Sequence, residues 1–361
     1  MKTKNSNEFL MNLDNVGLFN KIDPKGMLEE IQGLPNQLAR AWKTADGYPL
    51  PVENEFSSVI IAGMGGSAIG ADLLVSYIAP ECRIPVSVLR GYHLPSWARG
   101  REILVVCSSH SGNTEETLSV FGEAVANQCT VMGISRGGQL LESAAENNLV
   151  GWKFDHNGQP RSAVGFSFGM LLNLFSRLEL IPDQTSILNS TVSVMREHIK
   201  GIDADVPVSH NLAKRIAGQA MNRYLVILGA EHLEPIARRW KTQINELAKC
   251  WAQFEFLPEA DHNTLAGLVF PEANLQNTYA LFLDSKNYHP RNHKRMELTF
   301  SEFMLAGLCT DKVNTPDNST LCEIWKMLLL GDFVSYYLAM AYQIDPTPID
   351  ALENFKKAML N

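Results

Sequence analysis

Two short loops rich in glycine and hydroxyl side chains are the part of this chain whose residue types are suited to chemistry. The first loop, residues 63–67, reads GMGGS, and the second loop, residues 108–116, reads SSHSGNTEE; each follows an apolar run and precedes a helical pattern. At such a junction the free backbone N–H groups of the helix N-terminus point at whatever lies above it. Glycine allows close approach, and serine and threonine add hydroxyl donors. Two such loops close together in the chain predict a clamp for one anion, and the anion that we expect is a phosphate.

Two other interpretations of these loops are open. The pattern G-x-G-x-x-A that begins at Gly63 also fits a loose dinucleotide-binding fingerprint, which prefers an acidic residue at the end of the next strand. That strand ends here in Arg90, which disfavours NAD, although Arg90 could bind the 2′-phosphate of NADP. In the second loop, Asn113 could simply cap the following helix, with Glu116 completing a capping box. We favour a phosphate cradle, because neither alternative uses the hydroxyls of Ser109, Ser111 and Thr114. The groups expected to hold the phosphate belong to Gly65, Gly66, Ser67, Ser109, Ser111 and Thr114.

Strand and helix signals alternate along the chain and indicate how these loops are positioned. In the first half, apolar runs predict strands at 58–62, 85–89, 103–107 and 130–134, and a helix at 162–178. A turn-rich stretch at 181–186 precedes a second series, with strands at 224–229 and 279–283 and helices at about 234–254 and 322–342. The alternation predicts an α/β fold of two domains, 1–185 and 186–361, each with a mostly parallel sheet flanked by helices.

The second half lacks a counterpart of the first loop. Its first strand ends in Gly-Ala-Glu at 229–231, without the Gly-Gly-Ser of the first half. We therefore expect one phosphate site per chain, served by the first half alone. The second half is then free to supply acid and base groups.

Composition excludes several partner classes. The chain of 361 residues is 45% hydrophobic and 19% charged, with a formal charge of -8 and a pI near 5.6, which argues against nucleic acid or an anionic membrane. The six cysteines form no CxxC pair and suggest free thiols in a reducing cytosol. The N-terminus lacks the apolar core of a signal peptide, and no apolar stretch looks long enough to span a bilayer. We expect a cytoplasmic protein.

The sequence argues against a metal site at His289 and His293. His289 and His293 have the spacing of two zinc ligands on a helix, but Pro290 interrupts that register. No cysteine or carboxylate completes a ligand set there. We expect a polar loop at these residues and no metal.

Further motifs complete a resemblance to a known family. They are Arg90-x-Tyr92-x-Leu94-Pro95, Pro160-Arg161, Asn245-Glu246, Pro258-Glu259-Ala260-x-His262-Asn263 and Asp345-Pro346-Thr347-Pro348. With the two loops, they make the chain similar to sugar isomerase (SIS) domains and, from residue 61 to the end, to the bifunctional phosphoglucose/phosphomannose isomerases of archaea and some bacteria. The resemblance implies two SIS domains per chain, each a three-layer αβα sandwich, and usually a homodimer with active sites near the subunit interface. It implies reversible conversion of glucose 6-phosphate, and of mannose 6-phosphate, to fructose 6-phosphate through an enediolate, without a metal or redox cofactor.

The resemblance also implies roles for residues of the second half. It makes Glu246 the base that moves a proton between C2 and C1. The apolar stripe of its predicted helix consists of Ile236, Trp240, Ile244, Leu247 and Trp251. Glu246 lies roughly 120° from the centre of this stripe, where a solvated glutamate is the ordinary interpretation. The resemblance makes His262 the ring-opening group, and in relatives the equivalent histidine comes from the neighbouring subunit. The motif departs from the family pattern at Thr264, where most relatives have glutamate. Glu259 and Asp261 are rival carboxylates for the role of base.

Two cations are expected near the sugar. Arg161 precedes a predicted helix, where a cation faces the positive end of the dipole, so an anionic partner such as the enediolate is plausible; the alternative is an arginine exposed to solvent. Lys356 matches a family lysine near the sugar. A lysine in the last turn of a helix is also a good cap, and Lys357 is an alternative for the same role.

Three other functions are weighed against this one. Another SIS reaction on a phosphosugar would keep both loops without needing Glu246 and His262. A regulatory module that senses sugar phosphates would bind without turnover, but residues 1–50 offer no basic recognition helix. An NADP-dependent oxidoreductase would need the dinucleotide interpretation of the first loop.

Overall fold

The computed structural model describes residues 12–51 and 55–359, which contain two parallel β-sheets flanked by helices. This confirms the predicted α/β fold class. The chain divides into two compact units. The N-half unit comprises Gln32–Val194 and Ser319–Cys322, and the C-half unit comprises Met195–Asn318 with the described residues before Gln32 and from Glu323 onward. The N-terminal segment, expected in the first domain, thus belongs to the unit that holds the second sheet.

The helices and strands follow in chain order. The first are α1 (Phe19–Ile22), α2 (Met27–Gln32), α3 (Leu34–Asp46), β1 (Ser58–Ala62), α4 (Gly65–Ile78), β2 (Val86–Leu89), β3 (Ile103–Ser109), α5 (Glu115–Ala126), β4 (Thr130–Ser135), α6 (Gln139–Glu146), β5 (Val150–Lys153) and α7 (Val164–Arg177). The others are α8 (Thr185–Lys200), α9 (Leu212–Ala220), β6 (Tyr224–Ala230), α10 (Glu234–Leu247), β7 (Ala252–Leu257), α11 (Glu272–Gln276), β8 (Thr278–Asp284), α12 (Pro290–Leu305), β9 (Cys309–Asn314), α13 (Thr320–Ala341) and α14 (Asp350–Met359).

The sheet of the N-half unit has the strand order β2-β1-β3-β4-β5, and all its neighbours are parallel. Every residue of β1 and β3 is buried, which explains their continuous apolar runs, since helices cover both faces of such a sheet. Ala62, at the end of β1, pairs with Cys107 near the end of β3. Because the strands are parallel, the two loops leave the sheet at the same edge.

The sheet of the C-half unit has the order β7-β6-β8-β9 and is also parallel. Its core includes the contact of α10 with α13, where the indole N–H of Trp240 donates to the carbonyl of Met327 at 2.9 Å. A Cβ at Gly331 would lie 2.1 Å from that indole nitrogen, so only glycine lets α13 approach so closely. The sequence of α13 is long and apolar enough to cross a membrane, contrary to expectation, but 94% of that window is buried, as in the core helix of a soluble protein.

Two predicted elements of the second half are wrong. The helix expected over 234–254 ends at Leu247, and residues 252–257 form β7 instead. Lys249 has a φ of 51°, which is incompatible with a continuing helix, and the side chain of Asn245 accepts from the backbone N–H of Ala252 at 2.9 Å. The polar loop expected around His289 is the start of α12, because Pro290 occupies the first helical turn, where proline is favourable.

Candidate active site

The first loop leads directly into α4. Met64 is the N-cap, and no side chain caps the helix, so its first N–H groups are available to a ligand. Gly65 has a φ of 50°, and a Cβ there would meet nothing within 4 Å, so the space beside it is open. Ser67 is buried. The first loop therefore leaves the start of α4 without a side-chain cap and with open space beside Gly65.

The second loop is held by its own hydroxyls. The Ser109 and Thr114 hydroxyl oxygens lie 2.8 Å apart, and Ser109 Oγ also accepts from the N–H of Gly112 at 3.1 Å. Ser111 Oγ accepts from the N–H of Asn113 at 3.1 Å. Thr114 is the N-cap of α5 and makes no side-chain cap bond. A second helix N-terminus is thus open, with hydroxyl groups arranged around it.

The capping interpretation of Asn113 is wrong. Its Oδ1 accepts from the N–H of Gln139 at 3.0 Å, so it caps the start of α6 rather than α5. The sequence gives no local signal for this bond, because Gln139 lies far along the chain. Asn113 therefore ties the second loop to its neighbour, and the N-terminus of α5 stays uncapped.

The two loops touch each other. A Cβ at Gly63 would lie 2.9 Å from the carbonyl oxygen of Ser108, so the loop backbones are in direct contact. Strands β1 and β3, which carry them, are at the point where the strand order reverses, and ligands bind there in open α/β sheets. The N-termini of α4 and α5, which no side chain caps, therefore lie at the same edge of the sheet.

Arg161 lies beside the first loop and is buried, so the solvent-exposed alternative is wrong. It belongs to a short 3-10 turn, Pro160–Ser162, that precedes α7. A Cβ at Gly66 would lie 2.5 Å from the carbonyl oxygen of Pro160 and 3.5 Å from the Cα of Arg161. The structure therefore brings together the two loops and Arg161, all in the N-half unit.

A buried histidine pair supports the second loop and was not singled out from the sequence. His110 Nε2 and His156 Nδ1 are 2.9 Å apart, and both rings are buried. The carbonyl of His110 accepts from the N–H of Arg136 at 3.3 Å. His156 lies beyond β5, so only the tertiary structure connects it to the loop.

Glu246 is half-buried near the end of α10. It shares a helix face with Gln243 and Arg239, which lie one and two turns earlier and are buried. Arg239 donates to Asp332 of α13 through Nε at 3.1 Å and through a terminal nitrogen at 2.6 Å. Burial raises the pKa of Asp332, and the guanidinium of Arg239 opposes that rise. Glu246 therefore lies along a second buried face, polar and charged, that the apolar stripe does not reveal.

His262 is exposed at the end of a short 3-10 turn, Glu259–His262, that follows β7. The turn is anchored by Asp261, which accepts from Arg295 at 2.8 Å and from the Thr299 hydroxyl at 2.6 Å, both on α12. Glu259 accepts from Asn263 at 3.0 Å. The backbone of His262 is thus fixed while its imidazole is accessible. Because both carboxylate oxygens of Asp261 accept hydrogen bonds that hold the turn, Asp261 is a weaker candidate for the catalytic base.

One chain does not bring Glu246 and His262 together. The bond from Ala252 to Asn245 places the end of α10 at the start of β7. His262 follows the other end of that strand. The six residues of β7 span about 20 Å. These two residues therefore lie at opposite edges of the second sheet.

Lys356 lies in the last turn of α14, as predicted, and is exposed together with Lys357. The chain reaches α14 from the edge of the sheet where Glu246 lies. Lys249, just after α10, donates to the carbonyl of Asp345 at 2.7 Å, five residues before α14 begins. Glu246 and the start of α14 are therefore on the same side of the C-half unit.

In the C-half unit, a side chain of the protein lies at the N-terminus of α12, the helix that follows β8. Glu231, at the end of β6, accepts from the backbone N–H of His289 at 2.9 Å and from Asn292 at 2.6 Å, at the start of α12. The carboxylate thus sits at the helix N-terminus where the other unit leaves a free position. His289 and His293 belong to this region, and the described residues contain no cluster of three or more His, Cys, Asp or Glu suited to a metal ion.

Comparison with known proteins assigns the chain to a family. A family model described as the bacterial phospho-glucose isomerase C-terminal SIS domain matches residues 209–359. A bifunctional phosphoglucose/phosphomannose isomerase of Caldicellulosiruptor bescii is 36% identical over 337 residues, covering 92% of this chain and 98% of the relative. The protein of the same name from Aquifex aeolicus is 32% identical over 305 residues, covering 84% of this chain and 91% of the relative. The solved structure of tagatose-6-phosphate ketose/aldose isomerase from Escherichia coli shares the fold, with a TM-score of 0.67 at 15% identity over 89% of this chain and 94% of that one. The chain is a member of the bifunctional phosphoglucose/phosphomannose isomerase family.

Proposed function

We propose that this protein is a cytoplasmic enzyme that interconverts glucose 6-phosphate, and also mannose 6-phosphate, with fructose 6-phosphate. The observation that carries the proposal is the pair of touching, uncapped helix N-termini in a chain 36% identical to a relative of that activity. The reaction moves protons within one sugar and leaves its overall oxidation state unchanged, so it needs no redox cofactor.

The two loops hold the 6-phosphate in this proposal. The phosphate accepts from the N–H groups of Gly65 and Gly66 and from the hydroxyls of Ser67 and Ser111. It also accepts from whichever of the Ser109 and Thr114 hydroxyls does not donate to the other. The protein carries a net negative charge, so local donors and not the overall field must attract the anion. Holding the phosphate far from C1 and C2 orients the reacting carbons without taking part in the chemistry.

Glu246 is the proposed base. Its carboxylate removes the proton from C2 of the open-chain aldose and returns it to C1, while the carbonyl and hydroxyl oxygens exchange their roles through an enediolate. Arg161, buried beside the first loop, supplies positive charge to the enediolate oxygen. Lys356 is the proposed second cation near the sugar.

His262 is the proposed ring-opening group, and we propose that it acts in the active site of a partner subunit. The separation of about 20 Å along β7 supports this arrangement, because a histidine of the same chain lies at the wrong edge of the sheet for Glu246. An exposed imidazole on a firmly anchored turn is suited to such a role.

The test is proton NMR of each hexose 6-phosphate with the purified protein in D₂O, with chelator and without nucleotide. We expect conversion of both aldoses to fructose 6-phosphate with deuterium appearing at the exchanged carbon, because the half-buried Glu246 can exchange the abstracted proton with solvent before returning it. Conversion without any exchange would point to hydride transfer. No conversion of either sugar would refute the proposed function, and binding without conversion would favour a sensing module.

A further inference from the structure

A buried histidine pair joins the second loop to the segment that leads to Arg161. His110 lies between Ser109 and Ser111 of the loop, and His156 follows β5, five residues before the arginine. His110 Nε2 and His156 Nδ1 are 2.9 Å apart, so one nitrogen donates a hydrogen bond and the other accepts it. The proposed mechanism uses neither imidazole. Their hydrogen bond therefore connects two parts of the candidate active site.

His156 anchors this segment. Among residues 155–160, which connect β5 to the short 3-10 turn, only His156 is buried. Aromatic rings enclose the pair, because Phe154 lies 5.9 Å from the ring of His110 and Phe166 lies 5.9 Å from that of His156. Phe154 and Phe166 stack on each other at 4.9 Å. Neither imidazole can turn away without disturbing these contacts, so packing holds both rings in place.

The far end of the segment is held against the first loop. The turn of Arg161 packs on Gly66, where a Cβ would lie 2.5 Å from the carbonyl oxygen of Pro160. The Ser167 hydroxyl, in α7, lies 3.1 Å from the carbonyl oxygen of Gly66. The segment thus reaches from one loop to the other, with His156 bonded to the second loop and Arg161 packed on the first.

We infer that His110 and His156 are positioning residues, whose hydrogen bond sets the place of Arg161 relative to the hydroxyls of the second loop. The 6-phosphate and the enediolate oxygen lie at opposite ends of one sugar. The groups that bind them must therefore keep a constant separation. This role rests on the proposed function, which supplies the two groups that are bound.

The test compares two ligands by titration calorimetry, which requires no turnover. Inorganic phosphate contacts the loops alone, whereas 5-phospho-D-arabinonate adds a carboxylate in place of the enediolate oxygens. We expect His156→Leu to raise the dissociation constant of phosphoarabinonate about 10-fold, the effect of losing one well-placed hydrogen bond, and that of phosphate less than about 3-fold. Phosphate is spared because the hydroxyl contacts within the second loop remain.

The matched control is His156→Asn, whose amide occupies the position of Nδ1 and can keep the hydrogen bond. It should bind both ligands as the wild type does. Combining His110→Leu with His156→Leu removes both imidazoles, so that no buried imidazole faces a leucine, and should give the same selective loss. Equal weakening of both ligands, or an asparagine variant as weak as the leucine variant, would overturn the inference.

A further pair of variants shows whether the histidines act through Arg161. In an Arg161→Leu background, His156→Leu should weaken phosphoarabinonate no further, since the group that it positions is gone. A loss equal to that in the wild-type background would overturn the inference, because a merely structural role predicts additive effects.

Failure of the proposed function is visible separately. A wild type that binds phosphoarabinonate more tightly than phosphate but converts no sugar would refute the isomerase proposal, and the variants would still test the pair. An active enzyme whose variants lose both ligands equally would overturn the positioning role alone. A wild type without any preference for phosphoarabinonate would also overturn it.

Discussion

Glu246→Gln and His262→Ala subunits, each inactive alone, should form active enzyme when they are combined. If the base and the ring-opening group come from different subunits, a mixed dimer has one site with both changes and one site with neither. Random pairing makes half of the dimers mixed, so a 1:1 mixture should regain about a quarter of wild-type activity.

The expected recovery of activity follows from the distance between Glu246 and His262 within one chain. Acid and base groups must come within about 3 Å of the atoms between which they move protons. In one chain Glu246 and His262 are separated by the length of β7, about 20 Å. No side-chain rotation closes that gap, so a site built from one chain would contain only one of them.

The assay is co-expression of the two variants with different affinity tags, purification through both tags, and measurement of glucose 6-phosphate isomerisation. Dimers purified through both tags are all mixed, and they should show about half of the wild-type activity per dimer. The control is a mixed dimer of two differently tagged Glu246→Gln chains, which should stay inactive. Full inactivity of the mixed dimer, with each variant still dimeric, would refute the reasoning and place both residues in one chain's site.

Three further predictions concern the loops and the C-half unit. Gly66→Ala should raise the KM for sugar phosphates in steady-state assays, because its Cβ would lie 2.5 Å from the Pro160 carbonyl; Gly122→Ala, with open space around it, should not. Titration calorimetry should give one fructose 6-phosphate per chain, because Glu231 fills the second position; two per chain would contradict this. Burial alone would raise the pKa of Glu323, but hydrogen bonds to its carboxylate outweigh burial and lower the pKa from its ordinary value of 4.5. The stability that this carboxylate contributes to the fold should therefore be present above pH 4.5 and decrease as the pH falls below 4.5. Urea unfolding at several pH values should show less of this dependence in Glu323→Gln.

The two loops could be predicted because residues adjacent in the sequence determine their conformation. Glycine, serine and threonine immediately after an apolar run determine both the backbone conformation and the available donors. The strands before them are buried on both faces and read as continuous apolar runs. The parallel alternation then brings the carboxyl ends of β1 and β3 to one edge, so the contact between Gly63 and Ser108 follows from the fold class.

Prediction failed where a single residue or a distant partner decided the outcome. The end of α10 depends on the left-handed conformation of Lys249 and on the Asn245 side chain, which helical periodicity does not register. Glu246 looked solvated because the apolar stripe was the only buried face that the pattern could show. Burial of Arg239 against Asp332 of α13 depends on a helix far along the chain.

The sequence by itself determined that the protein has two parallel-sheet halves and that only the first half carries the pair of glycine- and hydroxyl-rich loops. It did so because strand burial, helix N-termini and loop residues are set by neighbours in the chain. Only the tertiary structure decided that Asn113 supports a different helix, that Glu231 fills the second anion position, and that Glu246 and His262 lie at opposite edges of one sheet. These outcomes depend on strand direction and on packing between distant segments, which residue spacing does not encode.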